Sequence, residues 1–290
     1  MTAVDFAYHR PTSVGDAIRL LGELAPDALP LAGGGSVGIL LNERAARPAH
    51  VIDLNELREL AGVREAGAAI WIGAMTRLYE IETSELLAER IPLLPACART
   101  VADPSLRHRV TVGGGLAYAD ASASLPTALL ALGTTVHTTG ADGEREIPID
   151  DFFVAGHETA LARDELITHV TVAAPAARAG TAWLDLDRRH LSYSLLSVAA
   201  VIEPDEGRIA SARVAMAGIA PTPRRLRAVE TALEGSSTEE ATVREAARAA
   251  IQEADPPSDL HASAEYRRRM APELAARGVL SALARAGGES

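Results

Sequence analysis

Two glycine triplets, each set after an apolar or β-branched stretch, constrain this chain more than any other feature. The first reads Leu29-Pro30-Leu31-Ala32-Gly33-Gly34-Gly35-Ser36-Val37, and the second Thr111-Val112-Gly113-Gly114-Gly115. Glycine has no Cβ, so successive glycines let the backbone take positive φ and approach a ligand closely. Consecutive amides in such a turn form a concave nest for an anion, and Ser36 adds a hydroxyl donor. Neither triplet is a GxGxxG fingerprint, and neither ends in the GK[ST] of a P-loop. Taken singly, each is more simply a flexible turn. Taken as a pair, each ending an expected strand, they predict two nests that clamp one extended diphosphate from two sides. A dinucleotide has that shape.

The rest of the composition sets the class. At 290 residues the chain can bury a sizeable core, and its length favours two domains over one. Apolar residues make up 48%, the balance of a globular protein. No apolar run reaches the roughly 18 residues needed to span a bilayer. The opening MTAVDFAYHRP carries an early acid and a proline where a signal peptide would have a basic start and an apolar stretch. A net charge of −11 with scattered basic residues argues against nucleic-acid binding. Cys97 is the only cysteine, which excludes an intramolecular disulfide and an iron–sulfur cluster held by this chain's own thiolates. A cytoplasmic address fits. The sequence contains no lysine, so every fixed cation is arginine, a compositional bias that matches the excess of alanine. It excludes a Schiff-base lysine and a lysine-type phosphate contact.

Along the chain, Ser13 and Asp16 form a capping-box pattern, and Val14, Ala17, Ile18, Leu21 and Leu24 then recur at helical spacing. Residues 29–32, 50–54 and 69–72 read as strands, and 75–98 as helical stretches punctuated by proline. Residues 109–112 are strand-like and 125–132 a short helix. Residues 134–139 and 166–172 are strands rich in β-branched side chains. The segment Ala173-Ala174-Pro175-Ala176-Ala177 reads as a connection, which divides the chain into residues 1–175 and 176–290. Beyond it, 194–202 and 209–217 read as strands. Pro223 opens a helix over 224–233, and 238–254 and 260–284 are helices separated by Asp255-Pro256-Pro257-Ser258. Strands and helices do not strictly alternate, so the class is α+β.

Several segments then resemble one family in order. Leu31-Ala32-Gly33-Gly34-Gly35-Ser36 is similar to the AGGTDL or AGGHSL loop of molybdenum-hydroxylase flavoproteins. Residues 105–114, SLRHRVTVGG, resemble their QIRNRGTIGG, and 116–126, LAYADASASLP, their LAHADPAADLP. Asp151-Phe152-Phe153 with Glu158-Thr159-Ala160-Leu161 looks like DFF…GETAL, and Glu165-Leu166-Ile167 like ELI. Pro221-Thr222-Pro223-Arg224-Arg225 is similar to GPTPVRA, and Glu265-Tyr266-Arg267-Arg268 to EYRR. The chain therefore resembles, over nearly its whole length, the FAD-binding medium subunit of carbon monoxide and xanthine dehydrogenases. That resemblance implies a two-lobed FAD-binding domain of the PCMH/vanillyl-alcohol-oxidase-like type over 1–175, then a small α+β C-terminal domain over 176–290. It implies that Ala32, Gly33, Gly34, Gly35, Ser36 and Val37, with Thr111, Val112, Gly113, Gly114 and Gly115, contact the FAD diphosphate. Asp120 would lie near the adenosine end, Ile167 on or near the adenine, and Tyr193 near the isoalloxazine. An ordinary half-buried core tyrosine is an equally open reading of Tyr193.

Three departures stand out. Ser124 replaces an aspartate that approaches the adenosine part of FAD, Asp185 replaces a lysine near the flavin, and Ser192 replaces the aspartate before Tyr193. A carboxylate in place of a cation beside the flavin disfavours the anionic reduced form and lowers its potential. Arg188 or Arg189 would be the substitute charge. The 8 histidines show no HxH or HxxxH spacing, and Cys97 has no nucleophilic context. Trp71 and Trp183 read as packing, and no residue is assigned as catalytic. The implied function is an electron-relay flavoprotein, with a separate iron–sulfur small subunit, a molybdenum large subunit, and NAD, a quinone or oxygen as acceptor. The departures motivate an alternative, a stand-alone enzyme of the same fold with altered or absent FAD use. A scaffolding protein, which would need both glycine loops to be empty turns, ranks last.

Overall fold

The computed structural model describes residues 5–188 and 193–286. A small first lobe comprises β1 (Ala7–His9), α1 (Val14–Leu24), β2 (Ala28–Leu31), α2 (Gly35–Asn42) and β3 (His50–Asp53). Its three strands are parallel, in the order β1-β3-β2. Helix α1 begins where its cap dictates: the Ser13 hydroxyl accepts the Asp16 amide at 3.1 Å, replacing a bond that a first-turn amide otherwise lacks. Ala17 and Leu21 then turn inward and share a small core with Ile52, Leu54, Leu57 and Leu60.

The second lobe follows as β4 (Val63–Ala66), β5 (Ala69–Gly73), α3 (Leu78–Thr83), α4 (Glu85–Arg90), α5 (Leu93–Thr100), α6 (Pro104–Arg107), α7 (Val112–Tyr118) and α8 (Ser124–Leu132). It closes with β6 (Thr135–Gly140), β7 (Gly143–Pro148), β8 (Phe153–Ala155), β9 (Glu158–Thr159) and β10 (Leu166–Ala173). Five of these strands form an antiparallel sheet in the order β4-β5-β10-β6-β7. Residues 125–132 of α8 are buried without exception. A helix apolar all round must be covered on every side, and α8 lies between α5 and the sheet of the next domain.

That domain contains β11 (Gly180–Leu186), β12 (Leu196–Asp205), β13 (Arg208–Ala217), β14 (Arg224–Arg225), α9 (Arg227–Leu233), α10 (Glu240–Ala247) and α11 (Ala264–Arg285). Its strands are antiparallel in the order β11-β12-β13-β14. Helix α11 packs on β11 and β12 while α8 covers β12 and β13. Covered on both faces, β12 is buried from Leu196 to Ile202 and is apolar there except for Ser197.

Two expectations fail locally. Residues 109–112 form no strand: Thr111 makes an isolated bridge to Arg77 and caps α7, which starts at Val112. The helix expected from residue 224 starts at Arg227, because Arg224 and Arg225 pair with Met216 and Ala215 as β14.

Trp71 packs as expected, against an arginine and a histidine of the same chain. On one face of the five-stranded sheet the Arg64 guanidinium sits 4.3 Å over its ring. The His169 ring stacks on Trp71 at 5.3 Å and on His137 at 4.1 Å. Burial first, then the charges of His137 and Arg64, push the His169 pKa from 6.5 down to about 4. The unfolded chain therefore takes up this proton at higher pH than the folded one. Stability contributed here is full above pH 6.5 and is lost as pH falls towards 4. Melting curves across that window should slope less steeply for His169→Gln than for the wild type; equal slopes would remove His169 as the source.

Candidate functional site

Strand β2 delivers the chain to Ala32, and Gly34, at φ +74°, turns it into α2. A side chain there would be strained, so glycine is required. No side chain caps α2. The backbone N–H groups of Gly33, Gly34, Gly35, Ser36 and Val37 make no hydrogen bond to another group among the described residues. Unpaired amides at the first turn of an eight-residue helix are donors at the positive end of its dipole, the arrangement an anionic group fits. The residues present therefore suit a diphosphate.

The second glycine triplet is not a second nest. Val112 N–H donates to Thr76 O at 3.0 Å, Gly113 N–H to Ala74 O at 2.7 Å and Gly115 N–H to Thr111 O at 3.0 Å. The Gly114 amide goes to the Thr111 hydroxyl at 3.2 Å. Thr111 and the end of β5 thus satisfy the first turn of α7 internally. Its glycines give thinness: a Cβ on Gly113 would lie 2.7 Å from the Ala74 Cβ, while one on Gly115 would meet nothing within 4 Å. Gly113 lets α7 press on β5, and Gly115 leaves a bare wall.

Two cavities meet at these loops. The first, of about 310 Å³, opens between the lobes and is lined by Leu29, Leu54, Leu60, Leu161 and Ile167 beside both glycine clusters. The second, of about 410 Å³, is lined by Asp120, Ser124, Arg188, Tyr193, Ser194 and His261. Gly35, Ser36, Thr111, Gly115 and Tyr118 border both. The result is one long groove with the free amides near its waist and an apolar-walled chamber on either side, each within the range of small-molecule sites.

The groove gathers most of the expected residues. Ala32 to Val37, Thr111, Gly113, Gly114, Gly115 and Ile167 line the first cavity. Val112 does not; it is 1% exposed and belongs to the core of the second lobe. Asp120 and Ser124, expected towards the adenosine end with Ile167, lie at the opposite end with Tyr193. Ala119, in the left-handed conformation, ends α7 immediately before Asp120. Tyr193 is 67% exposed, so it is not a core tyrosine. Asp185 lines neither cavity. Its carboxylate lies behind the wall, accepting from Trp183 Nε1 at 2.7 Å and from the hydroxyl of the wall residue Ser194 at 2.7 Å. Burial pushes its carboxyl up, against those hydrogen bonds. Arg188 does border the second cavity, whereas Ser192 and Arg189 lie outside the described residues.

Among the residues set aside, Cys97 is fully buried, and burial pushes its thiol well up, away from nucleophilic reactivity. Trp183 packs as expected, its indole N–H donating to Thr100 at 2.9 Å as well as to Asp185. Among the described residues no group of side chains could hold a metal ion, and no helix is long and apolar enough to cross a membrane. Sequence reading missed Tyr118, which borders both cavities and was legible as the departure from histidine in LAYAD. It also missed Asn55, Arg77 and Arg109, which support the first glycine loop from distant positions and carry no local signal.

Comparison with known proteins agrees with this geometry. Residues 4–175 match the family described as the FAD binding domain in molybdopterin dehydrogenase, and 182–282 the CO dehydrogenase flavoprotein C-terminal domain. The carbon monoxide dehydrogenase medium chain of Hydrogenophaga pseudoflava is 35% identical over 280 residues, covering 97% of this chain and 98% of that one. Subunit alpha of the 6-hydroxypseudooxynicotine dehydrogenase complex of Paenarthrobacter nicotinovorans is 36% identical over 287 residues, covering 99% and 97%. Among solved structures, carbon monoxide dehydrogenase from Hydrogenophaga pseudoflava superimposes with a TM-score of 0.97 at 36% identity, covering 99% of this chain and 100% of that one. Quinoline 2-oxidoreductase from Pseudomonas putida 86 gives 0.92 at 30% identity, covering 98% and 99%. With family models matching both halves and the groove shaped for a dinucleotide, the chain belongs to the FAD-binding flavoprotein family of the molybdopterin dehydrogenases, and FAD is its cofactor.

Proposed function

We propose that this chain is the electron-relay subunit of a molybdenum hydroxylase, working with a separate iron–sulfur small subunit and a separate molybdenum large subunit in the cytoplasm. The observation that carries the reading is the run of five unpaired amides at the waist of a two-ended groove. In this reading Ala32 to Val37 donate to the diphosphate, and Thr111, Gly113, Gly114 and Gly115 form the wall opposite. Adenosine occupies the first cavity against Ile167. The flavin occupies the second cavity beside Tyr193, with Asp120 and Ser124 near it. The flavin-binding lobes span residues 1–175, and residues 176–290 close the flavin end through Arg188, Tyr193, Ser194 and His261. Bound FAD supplies the switch between paired and single electron transfer. The protein's own contribution is to bind, to orient and to wall off water.

The names of relatives support this assignment: the medium chain of a carbon monoxide dehydrogenase, the medium subunit of a nicotine 6-hydroxylase and subunit alpha of a dehydrogenase complex. The alternative, a recruited enzyme with altered or absent FAD use, drew on Ser124, Asp185 and Ser192. The position of Asp185 behind the wall weakens it, since that departure leaves the groove open. The test is the visible absorption spectrum of the chain expressed alone, repeated after adding FAD and desalting. The two bands of oxidised flavin are expected. A protein that stays colourless would sink the reading and favour the recruited fold. Mixing the reduced, FAD-loaded chain with NAD, a quinone or oxygen then identifies the acceptor.

A further inference from the structure

A glycine-rich loop is the least self-supporting backbone in a protein, and an anion nest works only if its carbonyls are turned away from the anion. Here both critical carbonyls are held from outside the loop. Asn55 Nδ2 donates to Ala32 O at 2.9 Å, and Arg109 Nε donates to Gly33 O at 3.4 Å. Arg77 joins the two holders. One arm of its guanidinium donates to Arg109 O at 2.9 Å, and the other donates to Asn55 Oδ1. Asn55 is anchored in turn by Asp53, which accepts its backbone N–H at 3.0 Å and its side-chain amide, and which also accepts the Tyr8 hydroxyl. Asp53 is only 6% exposed, so this anchor is fixed in the first lobe.

The chain of contacts crosses between the lobes. Tyr8, Asp53, Asn55 and the glycine loop belong to the first, and Arg77 and Arg109 to the second. We propose that Arg77 and Asn55 form a staple that docks the first lobe on the second and fixes the loop with its amides facing the groove. Both are positioning residues for the diphosphate. The proposal rests on the FAD reading above. Arg77 suits the task because a guanidinium is a planar fork with donors aimed in two directions at once. A lysine ammonium would keep the charge but could not span the same two acceptors in that fixed geometry.

The experiment is a fluorescence titration of the deflavinated full-length chain with FAD, for wild type, Arg77→Met, Arg77→Lys, Asn55→Ala and the Arg77→Met/Asn55→Ala double variant. Each single variant is expected to weaken FAD about tenfold, the scale of one lost charge-assisted hydrogen bond. The double variant should also lose only about tenfold, because residues on one link are not additive. Lysine should not rescue. The staple is overturned if Arg77→Met and Asn55→Ala bind as wild type, if the losses multiply, or if Arg77→Lys restores affinity and shows that charge alone acts. Should Arg77→Met fail to fold, Asn55→Ala breaks the same link from the other lobe. A wild-type chain that takes up no FAD overturns the FAD reading and the staple together; uptake with unaffected variants overturns the staple alone.

Discussion

Alanine in place of Gly33 should leave the chain unable to hold FAD. The added Cβ would lie 1.6 Å from the Arg109 carbonyl oxygen and 2.5 Å from its carbon. Both are backbone atoms, so no rotamer change relieves the overlap, and the loop or the whole first lobe must retreat to ordinary contact distance. That movement breaks the Arg109 bond to Gly33 and the Arg77 link behind it, and it turns the amides out of register with the wall at Gly115. A loss of at least about a hundredfold in FAD affinity is expected, equivalent to about 3 kcal/mol. Gly38→Ala is the matched control. Its Cβ meets nothing within 4 Å inside the same α2 helix, so it should be neutral or stabilising by about 0.5–1 kcal/mol. Parallel titrations decide. Wild-type affinity in Gly33→Ala would mean that the close approach of the two loops has no part in binding.

Arg267→Met should produce the largest loss of stability. Arg267 is 2% exposed on α11, the bulkiest of the fully buried side chains. Its guanidinium donates to Leu195 O and pairs with Asp259 at 2.6 Å. Asp259 in turn accepts the amides of His261 at 2.8 Å and Ala262 at 2.9 Å. One side chain therefore ties together the start of β12, just after Tyr193 and Ser194, and the loop that brings His261 to the second cavity. Methionine fills much of the volume but leaves a buried carbonyl without a donor and a carboxylate without its cation. The expected cost is about 3 kcal/mol, which for a chain of this size lowers Tm by about 6–12 °C. Arg267→Lys, able to keep one of the two contacts, should fall between. A Tm for Arg267→Met within a degree or two of wild type would show that the loop and strand are held by other means.

What could be read from the sequence was local or serial. The Ser13 cap, the period of α1, the short helix at residues 125–132 and the first glycine loop each depend on neighbours within a few residues. The order of family motifs supplied the two-lobed architecture. The second glycine cluster misled because Val110, Thr111 and Val112 look like strand residues. Thr111 in an extended conformation is a helix cap as readily as a strand end, and the partners that occupy the α7 amides, Ala74 and Thr76, lie far back in the chain. Asp185 carried a usable signal. On a strand, residues two apart share a face, so Asp185 follows Trp183 towards the interior rather than the cofactor. Asp120 follows directly on the left-handed Ala119 that ends α7, a turn that no sequence pattern announces. Arg77 was invisible for the same reason as most tertiary contacts: its acceptors are set by how two lobes dock.

The small core of the first lobe has one more implication. Of its eight buried residues, Met75 and Leu166 come from the second lobe, so the three parallel strands have little apolar interior of their own, and small units hold together poorly alone. A molecule that spans the gap between lobes joins the folding equilibrium by mass action, adding about 2.7 kcal/mol at a concentration a hundredfold above its Kd. FAD-loaded chain should therefore resist unfolding more than chain stripped of it, by a margin that grows with free FAD concentration. A chain stripped of it should open first around β1 to β3, and a protease would begin there.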